Sequence, residues 1–158
     1  MARELITSWA DYQTAIDRLL AIATKQIHIY DEDLTTLKLD SAPRLAHVKR
    51  LVQGTRADAL FIAVRNGSPL RNQHPLLQSL LTTYGHVAAA QETPPHLAHL
   101  RDSMIIVDGK HGLIRFERDM PRSKLLIDES DELRPYLAKF NEIWAEGGER
   151  ISSTIVGL

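Results

Sequence analysis

The chain has 158 residues, 44% hydrophobic and 25% charged, with a formal net charge of −1. Those proportions exclude the disordered and fibrous classes, and the near-neutral charge argues against a globally basic nucleic-acid binder. The absence of cysteine excludes disulfides, thiolate metal sites, iron–sulfur clusters and cysteine nucleophiles. One domain is expected over residues 1–158, ending in a tail over 151–158. No apolar run approaches the ~20 residues that span a bilayer. No secretory leader is visible, so a cytoplasmic location without membrane contact is expected.

The first predicted element is a helix from Trp9 to about Thr24, with Tyr12, Ile16, Leu19, Leu20 and Ala23 at helical spacing and Ser8 as its cap. Gln26 to Tyr30 alternates polar and apolar residues and reads as a strand. Pro43 to Gln53 reads as a second helix that Gly54 ends. Ala59 to Val64 is continuously apolar, as a strand covered on both faces would be. Asn66-Gly67-Ser68-Pro69 reads as a loop, and His74-Pro75 opens a third helix that stops at Gly85. Val87 to Ala90 makes a weak strand, followed by a loop carrying His96 and His99.

Met104 to Val107 is a further strand, closed by a hairpin-like turn over Asp108 to Gly112 that holds His111. Leu113 to Phe116 returns, and Lys124 to Ile127 adds a strand. The last helix carries Leu133, Tyr136, Leu137, Phe140, Ile143 and Trp144 on one stripe and ends at Gly147-Gly148. The βαβα order predicts an α/β fold with a mixed, mainly parallel sheet flanked by helices.

Several candidate sites follow from this order. Asp31, Glu32 and Asp33 end the first predicted strand, at the sheet edge where open α/β folds take ligands. Asp31 and Asp33, with Asp108 from another strand, could hold a divalent metal such as Mg²⁺ through their oxygens. His74 stands at a helix N-terminus, where unsatisfied N–H groups favour an anion. Arg71 and Asn66 precede it and complete a candidate anion pocket. His96, His99 and His111 could form a metal or acid/base group if the loop folds over the turn. Residues 44–73 hold six cations against Asp58 alone, a net +5, and residues 128–149 hold seven acids against two cations, a net −5. Arg115, Arg118, Arg122 and Lys124 add a second basic cluster. A basic face opposite an acidic one would steer phosphate-bearing partners or drive self-association. No aromatic residues interleave with these bases, so a single-strand nucleic-acid reader is not supported.

The strand ending in Asp108-Gly109, the return strand over Leu113–Phe116 and the closing helix with Phe140-x-x-x-Trp144 together resemble one half of a phospholipase D-like fold. The signature of that family is His-x-Lys-x4-Asp, in which the His attacks phosphorus and the Lys neutralises the phosphate. Counted back from Asp108, the His position is Arg101 and the Lys position Ser103. Counted forward from His99, the Lys position is Arg101 and the Asp position Ile106. Neither register completes the motif. The chain also resembles an uncharacterised group of bacterial phospholipase D-like domains without it, through His74-Pro75-Leu76-Leu77, Ile106-Val107-Asp108 before a glycine, and the Gly157-Leu158 end.

The resemblance implies a catalytically degenerate module that binds or regulates, with a phosphate-bearing small molecule or another protein as partner. Arg101, in the nucleophile's place, would grip an anion through forked hydrogen bonds, alongside Asp108 and Arg115. Active single-half members pair two copies around one site, so a homodimer is implied, with the tail and the last helix contributing to its interface. The alternative is a metal-dependent phosphodiesterase or other hydrolase with relocated catalytic residues. There Asp31 and Asp33 would hold the metal and a loop histidine would serve as acid or base.

Overall fold

The computed structural model describes residues 1–151. Eight strands form one sheet in the order β1-β7-β6-β5-β2-β3-β4-β8. They are β1 (Ala2–Ile6), β2 (Ile27–Asp31), β3 (Leu60–Val64), β4 (Ala88–Glu92), β5 (Ser103–Val107), β6 (His111–Arg115), β7 (Ser123–Ile127) and β8 (Glu149–Ile151). The helices are α1 (Trp9–Ile22), α2 (Ala42–Gln53), α3 (Ser68–Gln73), α4 (Pro75–Thr83) and α5 (Ser130–Ala145), with a 3₁₀ turn over Pro95–Leu97.

The sheet is mixed but mostly antiparallel, which corrects the expectation of a mainly parallel one. Only β2–β3 and β3–β4 run parallel. The other five pairings are antiparallel. The βαβα order holds through β4, where helical crossovers force parallel neighbours. The chain then returns to insert β5 beside β2 rather than adding to the edge. From there the short connections of a meander allow only antiparallel pairing.

Strand alternation divides the core in two. Ile27 and Ile29 of β2, Ile105 and Val107 of β5, and Leu60, Ile62 and Val64 of β3 face α1, α2 and α4. Tyr30, Met104, Ile106, Ala63, Ile114 and Leu126 face α5, whose Leu133, Phe140 and Ile143 are buried on them. The stripe predicted for the last helix is this second core, to which Tyr136, Leu137 and Trp144 add partly buried surface. Ser8 caps α1 by accepting from Asp11 N at 3.1 Å.

Two edge strands and one helix carry no sequence signal of their own. β1 is Ala-Arg-Glu-Leu-Ile, and β8 is three residues long. The expected loop at Asn66–Pro69 runs into α3, with Pro69 in its first turn, where a missing N–H is harmless. Of the expected tail only Ile151 lies within the described residues, at the end of β8. The tail's contribution to a dimer interface falls outside them.

β8 depends on Gly148. Its φ is +140°, and a Cβ there would stand 1.9 Å from the Glu92 carbonyl oxygen. Gly148→Ala is expected to unpair β8 from β4 and to expose Ile151, lowering stability by about 2–4 kcal/mol. Faster amide exchange in β4 and an earlier denaturation midpoint would show it. An unchanged midpoint would refute it.

Candidate functional site

The sheet topology brings three distant residues to one point. β5 runs antiparallel to β2 with Tyr30 opposite Met104, so Ser103 starts where Asp31 ends. β6 returns with Arg115 opposite Ser103. Ser103 Oγ donates to Asp31 Oδ1 at 2.6 Å. Arg115 Nη2 donates to Asp31 Oδ1 and to Ser103 Oγ, each at 3.1 Å. Leu34 N donates to Asp31 Oδ2 at 2.8 Å, from a backbone at φ +73°. Asp31 and Arg115 are each 1% exposed, and Ser103 is 2% exposed.

Aromatic rings line the same guanidinium. The Trp9 and Tyr12 ring centres lie 5.4 and 5.1 Å from Arg115 Cζ. Burial pushes the Tyr12 phenol up to about 12, so it stays neutral beside the ion pair. Arg115 Nη1 donates to the carbonyls of Glu117 and Arg118. An ion pair this deep depends on such partners, although Arg115 Nε is buried without one.

The surrounding charges are matched as well. Arg65 donates to the carbonyls of Leu100, Arg101 and Asp102 and to Glu32 Oε1. Tyr30 adds a bond to the Leu100 carbonyl at 2.8 Å. Arg118 donates to Glu32 at 2.6 Å. Arg101 is exposed, and its guanidinium holds Glu117 Oε1 and Asp119 Oδ2. An anion approaching Arg101 therefore has two carboxylates to displace. Lys139 holds Asp102 at 2.8 Å.

The other expected residues do not join this cluster. Asp108 sits at the opposite end of β5. There it accepts from Thr24 N, Thr24 Oγ1, Lys25 N and Gln26 N at 2.7–3.0 Å. Burial alone would raise its carboxyl, but these four donors outweigh that and hold it below the usual carboxylate range. Five residues of strand, about 16 Å, separate it from Asp31, so the two cannot share a metal ion. Asp33 Oδ1 accepts from Thr35 N and Oγ1. No three His, Asp or Glu side chains converge as a metal would need among the described residues.

The anion pocket expected at His74 is filled by the chain itself. Asp40 Oδ1 accepts from Leu77 N at 2.7 Å in the first turn of α4. His74 is buried but makes no capping bond. Arg71 lies between Glu92 and Glu149, and Glu92 also accepts from Gly67 N at 2.6 Å. Asn66 Oδ1 accepts from Ser68 N. His99 Nδ1 meets the His96 carbonyl, but His111 is apart from both. His96 pairs with Glu146 at 2.7 Å, whereas His111 opens β6 at the Asp108 end and accepts from Asp128 N.

The expected basic face is largely turned inward. Arg44 holds Asp17, Gln13 and the Leu37 carbonyl, and Arg50 holds the carbonyls of Leu20 and Ala23 at the end of α1. With Arg65 and Arg71 also engaged, few of those cations are left to face a partner.

Residues that sequence reasoning passed over carry much of the site. Ser103 was marked only as the place of a missing lysine. Trp9 and Tyr12 read as core, Arg65 is one of a run of cations, and Asp40 carries no signal.

The fold is similar to that of a phospholipase D family member. The chain superposes on Nuc, a phospholipase D family member from Salmonella typhimurium, with a TM-score of 0.63 at 10% identity, covering 96% of this chain and 99% of that one. It superposes on TrmBL2, an archaeal chromatin protein with a novel mode of DNA binding, with a TM-score of 0.67 at 14% identity. That match covers 96% of this chain and 54% of the chromatin protein, so the chain spans about half of it. At such identities the likeness is one of fold. The chain itself belongs to a family described as a domain of unknown function, DUF7931, whose model matches residues 8–152. No curated protein matches it.

Proposed function

We propose that this domain is a non-catalytic phospholipase D-like module that works by binding a phosphate-bearing partner. The observation that carries the reading is the fate of the catalytic positions. Ser103, where the resemblance puts the lysine, lies sealed beneath Arg115 and bonded to Asp31. Arg101, in the nucleophile's place, has a guanidinium that stays protonated and cannot attack phosphorus. Of these two positions, one is bonded into the buried Asp31–Arg115 pair and the other is held at the surface by Glu117 and Asp119.

The module acts as a pair of copies closed at this end of the sheet. Phe116 and Met120, 46% and 55% exposed, leave apolar surface on the β6–β7 connection there. Phe116→Glu is expected to convert dimer to monomer in sedimentation equilibrium. A wild-type monomer at all concentrations would remove the pairing.

The catalytic question is tested with bis(p-nitrophenyl) phosphate between pH 5 and 9, with and without Mg²⁺, Mn²⁺ and Zn²⁺. No turnover above buffer is expected. Metal-dependent turnover that falls in Asp33→Asn would overturn the module and favour a hydrolase.

A further inference from the structure

A trough of about 530 Å³ opens between the first turn of α1, the β2–α2 connection and the β6–β7 connection. Trp9, Gln13, Thr36, Lys38, Arg118 and Asp119 line it. Its volume lies within the range of small-molecule sites. Most of its polar groups are already spoken for. Gln13 holds the Thr36 carbonyl and Arg44. Arg118 and Asp119 bond to each other, to Glu32 and to Arg101.

Lys38 is the exception. Its backbone sits at φ +48°, a left-handed conformation that L side chains rarely adopt. The turn is pinned there by Leu34, Leu37 and Leu39, each at most 1% exposed, and by Ser41 N on the Lys38 carbonyl. The three leucines point inward, and Lys38 is left exposed. Among the described residues its ammonium has no carboxylate partner, unlike Arg101, Arg115 and Arg118 at this end. Trp9 forms the apolar wall, 39% exposed and held edge-on against Tyr12 with ring centres 5.6 Å apart.

We propose that this trough binds a nucleoside monophosphate, its base against Trp9 and its phosphate on Lys38. An unpaired cation beside an exposed indole suits a ligand that is anionic at one end and flat at the other. The inference rests on the reading of the domain as a binding module and gives that module its ligand class.

Trp144→Phe leaves Trp9 as the sole tryptophan, so its fluorescence reports the trough. Titration with AMP is expected to give saturable quenching, with adenosine and inorganic phosphate each binding about tenfold more weakly or worse. Lys38→Gln should weaken AMP about tenfold while leaving adenosine unchanged, and Lys38→Arg should retain AMP. No saturable AMP response, or superimposable AMP curves for Lys38→Gln and its parent, overturns the trough as a nucleotide site. Such a failure is distinct from failure of the module itself, which would show as phosphodiester turnover.

Discussion

Asp31→Asn is expected to destabilise the fold by about 3–5 kcal/mol, because it leaves the Arg115 guanidinium buried without its counter-charge. Arg115 is 1% exposed, so water cannot take the carboxylate's place. Arg115→Met should be costly for the complementary reason. The double variant is expected to lose much less than the sum of the two, since it removes both charges together. Chemical denaturation of the four proteins measures this. Losses that add to within about 0.5 kcal/mol would show that the pair is not coupled.

The second large effect is one of pH. His28 is stacked on Phe61 at 4.6 Å and meets Phe140 edge-on at 5.0 Å. Burial pushes its imidazole down to about 4. The unfolded chain takes up that proton near pH 6.5, before the folded one does. The contribution of His28 to stability is therefore complete above about pH 6.5 and lost as pH falls toward 4, amounting to up to about 3 kcal/mol. His111, also lowered by burial, acts in the same direction. Asp108 acts below about pH 4, where the unfolded carboxyl takes up a proton before the depressed folded one does. His28→Phe keeps the ring stack and should lose much less stability than wild type between pH 7 and 4.5. Equal losses in the two proteins would sink this account.

The elements with strong periodicity were legible in the sequence. Tyr12, Ile16 and Leu19 announce α1, and Leu133, Phe140 and Ile143 announce α5, because burying one stripe demands that spacing. The direction of the sheet was not legible. Nothing in Met104 to Val107 says that this strand inserts beside β2, since a strand apolar on both faces fits any central position. β1 escaped notice because an edge strand with three exposed residues need not alternate.

The site was half legible. Asp31 stood out as a carboxylate at a strand end, but its partners lie 72 and 84 residues away, and no local spacing encodes such a meeting. His74 was singled out because a helix N-terminus attracts negative charge, and it does. The charge comes from Asp40, whose position before α2 gave no hint of it. Runs of like charge misled for a related reason. Arg44 and Arg65 reach inward to carbonyls and carboxylates of other elements, which composition alone cannot show.

The strand order also dictates when the fold can form. β1 pairs with β7 through Ala2 and Ile127, and β2 pairs with β5 through Ile27 and Val107. Only the β5–β6–β7 meander closes by short connections, whereas β2–β3 and β3–β4 need helical crossovers. Long loops must close before the outer pairings gain anything, so folding is slow for a chain of this length. On the ribosome, α1 emerges early with its apolar stripe and waits for most of the sheet that will cover it. β1, made before the rest of this sheet, is among the last of its strands to be placed.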